Sequence, residues 1–244
     1  MRRVAGHGLI ILVLTTLSLT GGLAWAAALA FRRRWLAFVL FYAALWLAAW
    51  TMAPMAGRVA LPCTGGPLRS QSLIYCALNR HYVTPELYNA AQDLAHHMAR
   101  THPGTITLSL DAGFPFGRLP LLPHLSHNDG EKLDLALYYR DHKGHYLPGQ
   151  TRSPIGYFAF QQGPDDCSGG LMRWDFAWLQ RFFPDLQLDQ SRMKTALEYL
   201  SKDPRIGKVF IEPHLRRDIG VRDAKLRFQG CHAARHDDHI HIQR

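Results

Sequence analysis

Two short stretches carry the residue types that bind metals and move protons. In Ser126-His127-Asn128-Asp129-Gly130-Glu131-Lys132-Leu133-Asp134 a histidine and a carboxylate stand seven positions apart, with Gly130 free to turn the chain between them. The second stretch is His236-Asp237-Asp238-His239-Ile240-His241. In a strand, alternate side chains share a face, so His239 and His241 point one way while Ile240 and Ile242 point the other. Catalytic zinc takes three protein ligands from His, Asp, Glu or Cys and keeps a fourth position for water. Two histidines and one carboxylate meet that requirement. A further histidine beside the water can take its proton and deliver it to a leaving amine, or donate a hydrogen bond to the developing oxyanion. A single HxH is a weak signal that an exposed polar terminus also produces; two separate fragments each supplying ligands make a stronger one. Asp237 and Asp238 suit two roles, as partners that orient the imidazoles or as solvated acids leading into the strand.

The elements around these motifs read as a small α+β domain with a central antiparallel sheet. Thr84-Pro85 starts a helix over about 85–100, with Leu87, Ala91, Leu94 and Met98 on one stripe. His96 and His97 on that helix have no partner at ligand spacing and read as a solvated face. Strands are expected over 105–110, 133–139, 156–161, 206–211 and 239–243. Helices are expected over 171–183, with Trp174, Phe176 and Trp178 as core aromatics, and from a cap at Asp189 to about Leu200. Asp111, Arg118, Arg152 and Arg173 are chemically suited to contact a peptide carboxylate or amide, while His142 and His145 read as surface residues.

The 244 residues carry a formal charge of +9, unevenly spread. Residues 1–59 hold six arginines and no Lys, Asp or Glu, hence +6; the remainder holds 22 basic and 19 acidic side chains, hence +3. The basic character belongs mainly to the N-terminus and gives no argument for a nucleic-acid partner. Gly8–Phe31 and Trp35–Gly57 are uncharged runs of 24 and 23 residues, each long enough for a helix across a bilayer, so residues 8–57 are expected to contact lipid. A cleavable signal peptide is the alternative for the first run. Arg32, Arg33 and Arg34 between the runs compete with Arg2 and Arg3 for the cytoplasmic side, so charge alone barely decides the orientation. Residues 60–80 read as a juxtamembrane linker and 81–244 as the folded domain. Cys63, Cys76, Cys167 and Cys231 all follow the apolar runs and lack zinc-finger spacing. They allow two disulfides in any of three pairings and favour an extracytoplasmic domain.

His127, six intervening residues and Asp134, followed by His236-Asp-Asp-His239-Ile-His241, resemble the penicillin-insensitive murein endopeptidases. That family lies in a wider group of zinc peptidases that includes lysostaphin-type enzymes, D-Ala-D-Ala peptidases and the hedgehog signalling domain. The resemblance spans roughly residues 85–244 and takes in Val209-Phe-Ile-Glu-Pro-His214. It implies Zn2+ held by His127, Asp134 and His241, with His239 and His236 as catalytic histidines. It also implies peptidoglycan peptide stems as substrate, cleaved as by a D,D-endopeptidase between D-alanine and a diaminopimelate side chain. The expected location is the bacterial cytoplasmic membrane with the catalytic domain outside. The hedgehog relatives imply an alternative, a zinc-stabilised binding module without turnover. A cytoplasmic metal sensor or store is a third possibility. The family is mostly exported and soluble, whereas this chain begins with two apparent spans.

Overall fold

The computed structural model describes residues 2–122, 124–164, 167 and 176–244. Three helices begin the chain: α1 (Arg2–Ser18), α2 (Gly21–Ala28) and α3 (Arg34–Met52), which continues into a 3-10 turn at Ala53–Ala56. The expected first span, residues 8–31, is therefore broken. Leu19 adopts φ 62° and the Ser18 hydroxyl accepts a hydrogen bond from the Gly21 amide at 3.1 Å, ending α1. A Cβ on Gly22 would lie 2.5 Å from the Ile11 carbonyl, so glycine there lets α2 fold back against α1. Among the described residues only Arg34–Ala56, 23 residues, is long and apolar enough to cross a bilayer.

Next come β1 (Val59–Ala60), β2 (Leu68–Ser70), α4 (Leu73–Ala77), β3 (Tyr82–Val83) and α5 (Pro85–Thr101). Residues 60–80, expected as a linker, thus carry regular structure and the Cys63–Cys76 disulfide. The chain continues through β4 (Thr107–Ser109), β5 (Lys132–Ala136), β6 (Tyr139–Arg140), a 3-10 helix (Ala177–Phe182), β7 (Gln187–Leu188) and α6 (Gln190–Lys202). It ends with β8 (Lys208–Phe210), α7 (Pro213–Ile219), β9 (Leu226–Arg227) and β10 (His239–Gln243). The fold is α+β. Its main sheet runs β2-β4-β5-β10-β8-β9, antiparallel at the centre, with parallel pairs β2–β4 and β8–β9 at the edges. The expected antiparallel sheet is therefore a mixed one with an antiparallel middle.

Strand alternation decides which face holds what. Leu133 and Leu135 of β5, with Ile240 and Ile242 of β10, enter the main core alongside Leu87, Leu94 and Met98 of α5 and Met193, Leu197 and Leu200 of α6. Asp134, His239 and His241 take the opposite face. The helix ends match their signals: Pro85 opens α5, and the Asp189 carboxylate accepts from the Arg192 amide at 3.1 Å at the start of α6.

Two expected elements differ. Residues 156–161 form a loop: Phe158 has φ 67°, and its amide donates to the Asp238 carboxylate at 2.6 Å instead of a neighbouring strand. The expected helix over 171–183 is present as the 3-10 helix Ala177–Phe182, with Trp178 and Phe182 exposed; residues 171–175, with Arg173 and Trp174, lie outside the described residues. The second disulfide joins Cys167 to Cys231.

Candidate metal centre

The antiparallel register sets His241 directly opposite Asp134, so adjacent central strands present both side chains side by side. His127 arrives from the loop before β5. Gly130 turns that loop with φ 73°, and a side chain there would also strike the Arg58 guanidinium. His127 Nε2 lies 3.1 Å from His241 Nδ1 and 3.3 Å from Asp134 Oδ1, and His241 Nδ1 lies 2.8 Å from that same oxygen. All three residues are buried.

The protons at this cluster are countable. His127 Nδ1 donates to the Ala112 carbonyl at 2.7 Å, which leaves a lone pair on Nε2 when the ring is neutral. Whichever protons the His127 and His241 rings carry, at least one of the three contacts sets lone pair against lone pair or proton against proton. If the proton of the neutral His241 ring sits on Nδ1, the Nε2 lone pair of His241 is buried with no partner. A cation among the three atoms satisfies every contact at once, and a nitrogen-nitrogen-oxygen donor set suits a borderline divalent metal. The carbonyl behind His127 is the partner expected behind a metal-binding imidazole.

Three partners not read from the sequence complete the surroundings. His124 Nδ1 lies 3.1 Å from Asp111 Oδ2 and 3.4 Å from Asp134 Oδ2, forming with His127 and Asp134 a second triad able to hold an ion. Of the two possible third ligands, His241 has the shorter contacts and has no other carboxylate, whereas His124 already faces Asp111. Arg80 grips Asp111 through two hydrogen bonds, at 2.6 and 2.7 Å. Tyr157 donates to Asp134 Oδ2 at 2.7 Å and accepts from the Asp111 amide at 3.1 Å, fixing the carboxylate's tilt. The only sequence hint is the three-residue spacing of His124 and His127. A separate group, Cys63, Cys76 and His81, also has ligand types, but its two sulfurs are bonded to each other at 2.09 Å.

His239 stands beside the cluster, its Nε2 3.7 Å from Asp134 Oδ2 and its Nδ1 2.5 Å from Asp238 Oδ1. Asp238 is thus an orienting partner. Asp237 instead pairs with Arg235 at 2.6 and 3.0 Å. The His236 ring sits 4.9 Å from that of His239, with its backbone amide donating to Glu212 Oε1 at 3.2 Å. Glu212 belongs to the Val209–His214 stretch, which links β8 to this site. A cleft of about 330 Å³ opens over His124, His127, Asp134, His236, His239 and His241.

Burial and neighbouring charge pull these groups in opposite directions. Burial favours a protonated Asp134, but His127, His239 and His124 outweigh it and hold the carboxyl well below its usual range. Burial would strip His239 of its proton, yet Asp134 and Asp238 raise it to about 9. Burial lowers His241 to about 4 despite Asp134, and burial with two neighbouring imidazoles pushes His236 well down. His236 and His241 are therefore neutral at pH 7.

No protein-family model and no curated protein matches the chain. The functional reading therefore rests on the site itself. The other sequence candidates lie elsewhere: His142 and His145 are exposed, His97 stacks on Tyr199 at 4.6 Å, and Arg118 is exposed. Arg152 is buried against the Phe160 and Pro184 carbonyls, at 2.8 and 3.1 Å, as a structural brace.

Proposed function

We propose that this chain is a membrane-anchored, zinc-dependent peptidase that hydrolyses amide bonds in the peptide cross-links of bacterial cell wall, in the manner of a D,D-endopeptidase. The observation that carries this reading is the convergence of His127 Nε2, Asp134 Oδ1 and His241 Nδ1 within 3.3 Å, beside a carboxylate-held His239, at the floor of an open cleft. The two disulfides and the apolar Arg34–Ala56 helix support an anchored domain outside the cytoplasm.

Bound zinc supplies a Lewis acid and a nucleophile competent at neutral pH. The chain's own groups do the rest. Asp238 holds Nδ1 of His239, so Nε2 faces the cleft and Asp134. There, with a bound dication offsetting the Asp134 carboxylate that otherwise keeps the ring charged, it would be neutral and would take a proton from the attacking water as the water oxygen bonds to the amide carbon. It returns that proton to the nitrogen as the carbon–nitrogen bond breaks. Neutral His236, one ring away, is placed to donate a hydrogen bond to the oxyanion. Tyr157 and the Arg80–Asp111 pair keep Asp134 and His124 in place.

The test is digestion of purified cell wall by the zinc-loaded full-length protein and by its His239→Ala variant, with muropeptides read by mass spectrometry. Loss of cross-linked dimers with the parent alone supports the peptidase. An unchanged wall, from a protein holding one equivalent of zinc, turns the reading to the zinc-stabilised binding module.

A further inference from the structure

The anchor and the domain are joined by more than the chain. Trp46 Nε1 of α3 donates to the Cys76 carbonyl at 2.8 Å and the Tyr42 hydroxyl donates to the Ala77 carbonyl at 2.5 Å, both at the end of α4. Asn79, just beyond, donates to the Thr20 hydroxyl in the turn between α1 and α2 at 3.1 Å. The apolar helix runs from Arg34 to Ala56, so Tyr42 and Trp46 flank its midpoint. A helix of that length is about 35 Å long against a hydrocarbon layer of about 30 Å. If it crosses the bilayer, the domain's α4 lies at hydrocarbon depth, not above the headgroups. The surface of α4 fits that depth, since Leu73 is 62% and Ile74 47% exposed.

A cavity of about 220 Å³ lies at this junction, lined by Leu17 of α1, Ile74 and Leu78 together with Leu122, His124 and Tyr157 and by the Arg80–Asp111 pair. Leu122, His124, Tyr157 and Phe158 also line a second, mostly apolar cavity of about 360 Å³ that reaches His239. Through these shared residues a mostly apolar lining extends from Leu17 to His239, with Arg80, Asp111, Arg235 and Asp238 as its charged members. Leu122 and Leu125, each about half exposed, bring this lining onto the loop before His127.

We propose that the site takes its amide from a lipid-linked peptide, with the hydrocarbon chain lying along Leu17, Ile74 and Leu78 and the peptide reaching the His127–Asp134–His241 cluster. The inference rests on the anchored peptidase reading and extends its substrates from wall cross-links to peptides still held in the bilayer. Continuity of this lining with the membrane helices argues for this occupant, because a chain leaving the bilayer there moves from one apolar surface to another that is mostly apolar.

The test uses full-length protein in phospholipid nanodiscs, zinc-loaded and carrying His239→Ala to prevent turnover. The probes are N-palmitoyl-D-alanyl-D-alanine and its N-acetyl twin, with binding corrected for partition into empty discs. The palmitoyl probe is expected to bind at least about tenfold more tightly. Leu17→Asn and Ile74→Asn, both at positions outside the packed core, are each expected to remove most of that advantage and leave acetyl binding unchanged. Equal affinity for the twins overturns the proposal, as does a palmitoyl advantage that both variants keep. Cell-wall digestion and zinc content, measured on the parent protein, fail separately if the peptidase reading is at fault.

Discussion

The two faces of the β5–β10 pair use the same backbone for opposite purposes. On one face Leu133, Leu135, Ile240 and Ile242 are buried among the side chains of α5 and α6. On the other, Asp134, His239 and His241 are as deeply buried, but among charged and polar neighbours. The apolar face stabilises the fold by removing surface from water, and it needs no ligand. The histidine face brings ionisable groups out of water, and their protons cannot satisfy every contact. One face thus holds the sheet so that the other can be kept in a costly arrangement.

Asp134→Ala should separate the faces most sharply. Zinc content, measured by mass spectrometry of the native protein, should fall from one equivalent to near zero and activity should vanish, while the core on the other face keeps the domain folded in circular dichroism. His239→Ala should retain zinc and lose about 10²–10⁴ in kcat, read from muropeptide release. Ile240→Ala, one residue along and on the other face, should do the reverse. It should cost about 3 kcal/mol in urea unfolding, with zinc content and kcat largely preserved. Asp238→Asn weakens the orientation of His239 and should lower kcat by about 10–100-fold, with zinc again retained.

The smallest effect is a pH dependence of the metal-free protein. His239 is raised from 6.5 to about 9, so its charged form favours the folded state. That stabilisation is fully present below pH 6.5 and is lost as pH rises through about 9. Unfolding free energies from urea titrations at pH 6 and pH 9.5 should therefore differ more for the parent than for His239→Gln, by on the order of 2 kcal/mol. Zinc should shrink the difference, because a dication beside Asp134 offsets the carboxylate that raises His239.

The side of the site that follows strand alternation is legible in the sequence. Ile240 and Ile242 against His239 and His241 is a period-two pattern, and the Gly130 turn lets His127 and Asp134 converge on spacing alone. The cap at Asp189 and the opening of α5 at Pro85 are equally local signals. What escapes depends on distant chain segments. Arg80 meets Asp111 across 31 positions, and Tyr157 meets Asp134 across 23. Neither pairing leaves a periodic trace. The loop at 156–161 reads as a strand because its residues are apolar, yet its backbone is claimed by Asp238 and Asp237. The break at Leu19 is hidden inside an unbroken apolar run, where hydropathy sees composition but not the close approach that Gly21 and Gly22 allow.

The placing of β10 between β5 and β8 has a consequence in time. Asp134 and His241 are 107 residues apart, so their contact forms only once β10 pairs with β5. While the chain is being made or threaded across a membrane, β5 waits with one edge unpaired, and the donor set does not yet exist. The candidate metal centre therefore cannot assemble until the polypeptide beyond residue 239 has arrived, so any chemistry placed there waits on the order of synthesis.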